Sequence, residues 1–275
     1  MTQYIFVVEA DPKPFMITYI NSSTFLLFLV GVNIFKSNIH WLAFKFSIIW
    51  TLANYTAILS LSLTSVSIST IASSSCGIFT FVIGLLLRTE SYSHIKLISC
   101  LGSVFGVYLL CGDSFMVNIG LFVGLASAFF YGVYSQVLKV SIDDTFNMRE
   151  FIGCVGLWNT LLLWPIFFLL HFTNLERFEF PRHQFHLILV NALIGTALSE
   201  YFWIKAISTA APIVVTLGLG ITIPLTMLID VFILHHHLTT NIIIGGSIVV
   251  LSFIAVEYSP KQIQEDIEDE IDICS

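Results

Sequence analysis

Residues 66–87 read V-S-I-S-T-I-A-S-S-S-C-G-I-F-T-F-V-I-G-L-L-L, a run without a charged side chain that is closed by Arg88. A bilayer core is crossed by about 20 mostly apolar residues in a helix. Backbone groups in hydrocarbon must bond within their own segment, so such a run is a membrane helix. Working outward, comparable runs occupy 15–35 and 41–62 before it and 95–111 after it. Beyond Gly112-Asp113 come 115–140, 151–172, 186–207, 212–234 and 241–258. The polar stretches 141–150 and 173–185 read as loops. The expectation is an all-α, polytopic helical bundle with nine full spans.

Composition supports the same class. The 275 residues are 56% hydrophobic and 11% charged, with mean hydropathy +0.90. Soluble domains carry about 25% charged residues, so too little charge is present to cover a soluble globule. That excludes a cytosolic enzyme, a nucleic-acid binder and a disordered protein, and leaves the lipid bilayer as the solvent. The net charge of −7 is concentrated in an acidic tail that begins at Glu257 and continues through Asp272. The tail, 259–275, is expected to be solvated and without regular structure. Cys76, Cys100, Cys111 and Cys154 lie in apolar runs and Cys274 in the tail, a pattern of small fillers or free thiols. Met1 to Ala10 lacks the basic start and long apolar stretch of a signal peptide.

Lys and Arg in short loops set orientation. Lys36, Lys45, Arg88, Lys96, Lys139, Arg149, Lys205 and Lys261 fall on one side of the nine runs, and Lys13, Arg177 and Arg182 on the other. Eight against three places the C-terminus in the cytosol. An internal repeat is also visible. Asn54-Tyr55, Ser60-Leu61 and Thr64-Ser65-Val66 align without a gap with Glu200-Tyr201, Ala206-Ile207 and Ala210-Ala211-Pro212, an offset of 146 residues (54 to 200). Further on, C-L-G-S-V-F at 100–105 pairs with I-G-G-S-I-V at 244–249. Taking 1–112 as the first repeat and 115–258 as the second, the second has five helices and the first four. A helix is therefore expected upstream of Pro14, which suggests a truncated start, and odd-numbered copies must be inverted in the membrane.

Phe130-Tyr131-Gly132-Val133-Tyr134, ending in Leu138-Lys139, resembles the sixth-helix motif of the drug/metabolite transporter superfamily of EamA type. Ser199-Glu200-Tyr201-Phe202-Trp203, with L-G-L-G-I-T-I-P-L-T-M-L-I-D at 217–230, is similar to the F-type members of solute carrier family 35 and to the yeast thiamine-repressible transporter-like protein. Lys13-Pro14-Phe15, Tyr19-Ile20-Asn21 and 50–54 fit the same group. The resemblance implies a 5+5 inverted-repeat fold of ten helices with both termini cytosolic. It also implies an organellar membrane, Golgi or vacuole, or the plasma membrane. The Phe-Tyr-Asn-Asn and Gly-Ala-Leu-Asn-Lys motifs of nucleotide-sugar carriers are absent, so nucleotide-sugar transport is not implied.

Ionisable groups at bilayer depth are costly and mark either function or a structural bond. Glu200 is the first candidate for substrate binding or proton coupling, with Trp203 on its face at i+3 and Tyr201 beside it. Asp230, after Pro224, is a candidate gate or an interfacial residue. Asn54 and Tyr55 mirror Glu200 and Tyr201. Ser127, Tyr131, Tyr134 and Ser135 share one helix face, as a cavity wall or as polar glue between helices. Lys139 is either a site residue or a positive-inside anchor. The eight Ser and Thr residues between Thr64 and Ser75 suit close packing or a wet cavity. Gly102/Gly106 and Gly120/Gly124 allow close helix approach, within the chain or in a homodimer. His235-His236-His237 has no spaced partner ligand, so it reads as a solvated loop. No metal or cofactor is expected.

Three function classes follow. A secondary transporter of a small organic solute by alternating access fits the repeat, the Pro/Gly-broken helix at 212–234 and Glu200. A degenerate, scaffold-type carrier fits the missing first helix. A membrane enzyme lacks support, because no catalytic spacing or phosphate-cradling loop is present.

Overall fold

The computed structural model describes residues 13–30, 39–111, 117–142, 146–173, 176, 185–225 and 240–274. Among these, no strand occurs and helix covers the described part of each apolar run. The helices are α1 (Pro14–Ser23), α2 (Ile39–Leu63), α3 (Val66–Ser74), α4 (Cys76–Leu87), α5 (His94–Cys111), α6 (Ile119–Ser141) and α7 (Met148–Phe172). They continue with α8 (Phe185–Val190), α9 (Ser199–Thr209), α10 (Pro212–Gly220) and α11 (Thr240–Cys274). Five helical stretches are long and apolar enough to cross a membrane: Ile39–Leu63, Val66–Leu87, His94–Cys111, Ile119–Ser141 and Met148–Phe172. Pro14–Leu29, Pro212–Leu225 and Ile243–Tyr258 are shorter apolar helices. Large apolar side chains point outward, with Ile98 67%, Phe122 62% and Leu251 63% exposed. In water such a surface would aggregate; in lipid it is the natural exterior.

Several runs are less regular than their apolar composition suggests. The run 66–87 is broken at Ser75 between α3 and α4. After α1 the chain tightens into a 3₁₀ turn, Thr24–Leu29. The run 186–207 carries a π segment, Asn191–Leu198, between α8 and α9. α11 runs on as helix to Cys274, where the tail had been expected to lack regular structure. Its backbone has Glu, Gln, Lys and Ile in place of turn residues after Pro260, and these favour helix. α2 ends at Leu63 and the helix α9 at Thr209. α3 and α10 are each nine residues long, and the breaks after them fall at Ser75 and Ile221.

Lipid supplies no hydrophobic drive between helices, so close packing holds them together. A Cβ added at Gly106 would lie 2.8 Å from the Gly245 carbonyl oxygen, and one at Gly245 would lie 2.6 Å from the Gly106 oxygen. α5 and α11 thus touch backbone to backbone. Gly102 faces Ser252, Gly120 faces Thr64, and Gly124 faces Ser60 and Ala72. Both small-residue pairs are used within the chain.

The core beneath the site is aromatic. Phe25 meets Trp50 edge to face at 4.8 Å, and Phe46 meets Tyr134 at 5.5 Å and Phe151 at 5.2 Å. α1 begins with Pro14, whose missing N–H is no loss at a helix start. The next two amides, of Phe15 and Met16, donate to the two carboxylate oxygens of Glu176 at 3.3 and 3.0 Å. Glu176 follows α7, so it pins α1 to the far end of that helix. Glu176→Ala is expected to cost about 1–2 kcal/mol, as loss of a helix cap does. Thermal unfolding in detergent checks it, and Glu176→Gln, which keeps one acceptor, should be milder.

Lys96, counted by sequence on the cytosolic side, is buried near the start of α5. Its ammonium meets Glu90 at 2.7 Å, with side chains 5% and 2% exposed. A left-handed turn at Arg88 (φ 57°) folds the chain back over the end of α4. There the amides of Thr89 and Glu90 both reach the Gly84 carbonyl. Thr89 donates to Gln136 of α6 at 2.6 Å, and Gln136 donates to the Thr80 carbonyl at 2.9 Å. α4, α5 and α6 are thereby tied at one end of the bundle.

Candidate functional site

α6 runs through the middle of the molecule, and its polar stripe decides where the site forms. Ser127 donates to the Ala53 carbonyl at 2.8 Å, and the Tyr131 hydroxyl donates to Asn54 Oδ1 at 2.7 Å. Three residues on, the buried Tyr134 hydroxyl donates to Glu200 Oε1. Near the end of α6, Lys139 Nζ donates to the carbonyls of Ile207, Ser208 and Ala210 at 2.9, 3.4 and 3.1 Å. These carbonyls close α9, where a cation complements the helix dipole. One face of α6 therefore holds α2 by its first half and α9 by its second. Lys139→Met is expected to lower stability by about 1 kcal/mol through the lost charge-assisted bonds; a detergent melting series reads the loss.

A cavity of about 410 Å³ opens beside this stripe. It is lined by Asn54 and Ala57 of α2, Ser73 of α3, Cys76 of α4, and Ser127, Ala128 and Tyr131 of α6. Gly195, Thr196, Ser199, Glu200 and Trp203 close it from the π segment and α9, and Leu219 from α10. Asn54 is held by its own Nδ2 bond to the Trp50 carbonyl at 3.0 Å. Trp50 lies beside the Glu200 carboxyl, although its buried indole N–H makes no hydrogen bond of ordinary geometry. Glu200 Oε1 accepts from Tyr134.

The sequence candidates divide cleanly. Asn54, Tyr131, Glu200 and Trp203 line the cavity. Tyr134 holds Glu200 from behind. Ser135 bonds back to the Tyr131 carbonyl at 2.8 Å. Tyr55 turns away to Phe15, edge to face at 6.2 Å, and Tyr201 stacks on Phe28 at 6.2 Å. Lys139 caps α9, and Lys205 is exposed. Asp230 and His235-His236-His237 lie outside the described residues. Among those described, no group of three or more metal-binding side chains occurs.

Comparison with known proteins places this geometry. The EamA-like transporter family matches residues 118–258. An uncharacterized transporter of Schizosaccharomyces pombe is 31% identical over 91% of this chain and 88% of its own. The chain belongs to the EamA-like transporter family. This EamA-like chain is also 34% identical to an uncharacterized vacuolar membrane protein of Saccharomyces cerevisiae. It is 37% identical to solute carrier family 35 member F5 of Mus musculus. It spans 62% and 43% of the length of those two relatives. A crystal structure 14% identical in sequence superposes with TM-score 0.74, covering 93% of this chain and 90% of its own, which shows a shared fold. The EamA-like chain is an integral, multi-pass membrane protein of a transporter family.

Sequence reasoning missed Ser73, Cys76, Gly195, Thr196 and Leu219 as cavity residues. Ser73 belongs to the Ser/Thr-rich stretch already noticed, which was a usable signal. The π segment had a weaker one in Asn191, Gly195 and Thr196. π turns are rare and recur at functional sites, and this one ends at the residue before Ser199. It is tied to the first helix, with Thr24 donating to the Ala192 carbonyl at 3.1 Å.

Proposed function

We propose that this chain is a secondary transporter of a small organic solute, working by alternating access in an organellar membrane. The observation that carries the reading is the cavity itself. It is walled by α2, α3 and α4 from 1–112 and by α6, α9 and α10 from 115–258, with one carboxyl, Glu200, among the described lining residues. A site between two halves, walled by broken helices, is the arrangement in which rocking of one half exposes a solute to alternate sides. The breaks at Ser75 and Ile221 supply irregular backbone on both walls.

In this reading the chain has nine spans, built from two inverted copies, 1–112 and 115–258, with the tail 259–275 in the cytosol. The common offset of the helix ends and breaks supports the duplication, and the eight-to-three charge asymmetry supports the orientation. The vacuolar membrane relative supports an organellar location. Glu200 is the coupling group, with protons as the coupling ion. The test is uptake of a solute library into proteoliposomes of purified protein, with and without a pH gradient. Saturable, protein-dependent uptake is expected, and a folded protein that moves no solute would overturn the reading. Topology has its own check. In sealed organelle vesicles with the cytosolic face out, the tail is expected to be open to protease, and protection of the tail would reverse the orientation.

A further inference from the structure

We infer that the Glu200 cavity selects organic monocations, that is, solutes with one ammonium or charged ring nitrogen on a flat or compact apolar body. This rests on the transporter reading above and names the class of its solute.

The charge inventory comes first. Among the described residues lining the cavity, Glu200 is the one ionisable carboxyl, and no Lys, Arg or His is present. The two lysines nearest in sequence are both accounted for elsewhere. Lys139 is committed to three carbonyls at the end of α9. Lys205, five residues beyond Glu200, lies about 140° around the helix and is exposed. An anionic solute would therefore face a carboxylate with no compensating cation. A neutral solute would gain a hydrogen bond from it but no charge balance.

The geometry then favours a cation. Tyr134 donates to Oε1, which fixes the carboxyl in the cavity wall. The walls flanking Glu200 present Tyr131 and Trp203. Aromatic faces attract a desolvated cation, most strongly for Trp. Tyr131 spends its hydroxyl hydrogen on Asn54 Oδ1, so its oxygen faces a ligand as an acceptor too. The site therefore offers a carboxylate, a phenol oxygen and two aromatic rings, beside one unpartnered donor, the Trp203 indole N–H.

Size and ligand count set the rest of the class. About 410 Å³ is far more than a bare ion needs and falls within the range of small-molecule pockets. A single carboxylate balances one positive charge, and no cluster of three metal-binding side chains occurs among the described residues. The occupant is thus organic and singly charged.

The experiment is equilibrium dialysis of the full chain in detergent against radiolabelled benzyltrimethylammonium, with phenylacetamide and phenylacetate as neutral and anionic competitors of similar size. The expected result is saturable binding of the cation, with both competitors at least about tenfold weaker. Glu200→Gln should weaken cation binding by about tenfold or more and narrow the preference over phenylacetamide. Charge preference in the wild-type protein needs no variant, so the test stands even if Glu200→Gln folds poorly. Phenylacetate binding as tightly as the cation, wild-type cation affinity in folded Glu200→Gln, or no saturable cation binding would each overturn the inference. Flux is read separately in proteoliposomes. Transport without cation preference removes this inference and leaves the transporter reading, whereas cation-selective binding without flux does the reverse.

Discussion

Glu200→Gln is expected to fold, reach its membrane and lose at least about nine-tenths of coupled solute flux, the consequence of removing the carboxyl from the cavity. Gln keeps the shape of the side chain, and its amide oxygen still accepts from Tyr134. What disappears is the ability to carry charge or a proton. Glu200→Ala should do more damage, because it also leaves the buried Tyr134 hydroxyl without its acceptor, a loss of about 1–3 kcal/mol. The two variants separate function from structure when flux is divided by the amount of inserted protein. Wild-type flux in Glu200→Gln would reduce the residue to a structural bond between α6 and α9.

The largest stability effect is expected away from the cavity, at Lys96. The ion pair with Glu90 is almost wholly enclosed, and Glu90 Oε1 already has no hydrogen-bond partner. Lys96→Met strands the carboxylate, and breaking a buried pair from one side costs about 3–5 kcal/mol. Replacing both members removes two desolvation costs together with one attraction, so Glu90→Leu with Lys96→Met should recover most of the loss. Thermal unfolding in detergent reads the cycle. Additive losses from the two single variants would mean that the pair is not coupled and that burial alone sets the cost.

The contrast between these sites shows what a sequence can display. Helical columns were legible because a lipid-facing helix is apolar over its whole length. Their interruptions were not. Nothing local distinguishes Ser75 from the serines before it, and the π segment bonds to Thr24, far away in sequence. Glu200 stood out because an acid in an apolar run is conspicuous. Tyr134 was legible as part of the polar face of α6 but not as the partner of Glu200, since their meeting depends on how α6 crosses α9. Tyr55 and Tyr201 match in the repeat yet turn away from the cavity to Phe15 and Phe28, because alignment fixes position along a helix and packing fixes what each ring meets. The pairing of Lys96 with Glu90 was hidden for a related reason. Loop charges are normally solvated, and only the turn at Arg88 brings Glu90 within reach.

The stripe on α6 carries one more consequence. Its outer contacts, from Ser127 and Lys139, end on main-chain oxygens of residues 53, 207, 208 and 210, which every amino acid supplies. Its inner contacts, from Tyr131 and Tyr134, end on the side chains of Asn54 and Glu200. Mutation at the outer acceptor positions cannot erase the acceptors, whereas mutation at 54 or 200 rewrites the chemistry at once. The frame is thus insulated from drift while the centre stays open to change, so descendants of this sequence could acquire new solutes by altering two positions without dismantling the helices that hold them.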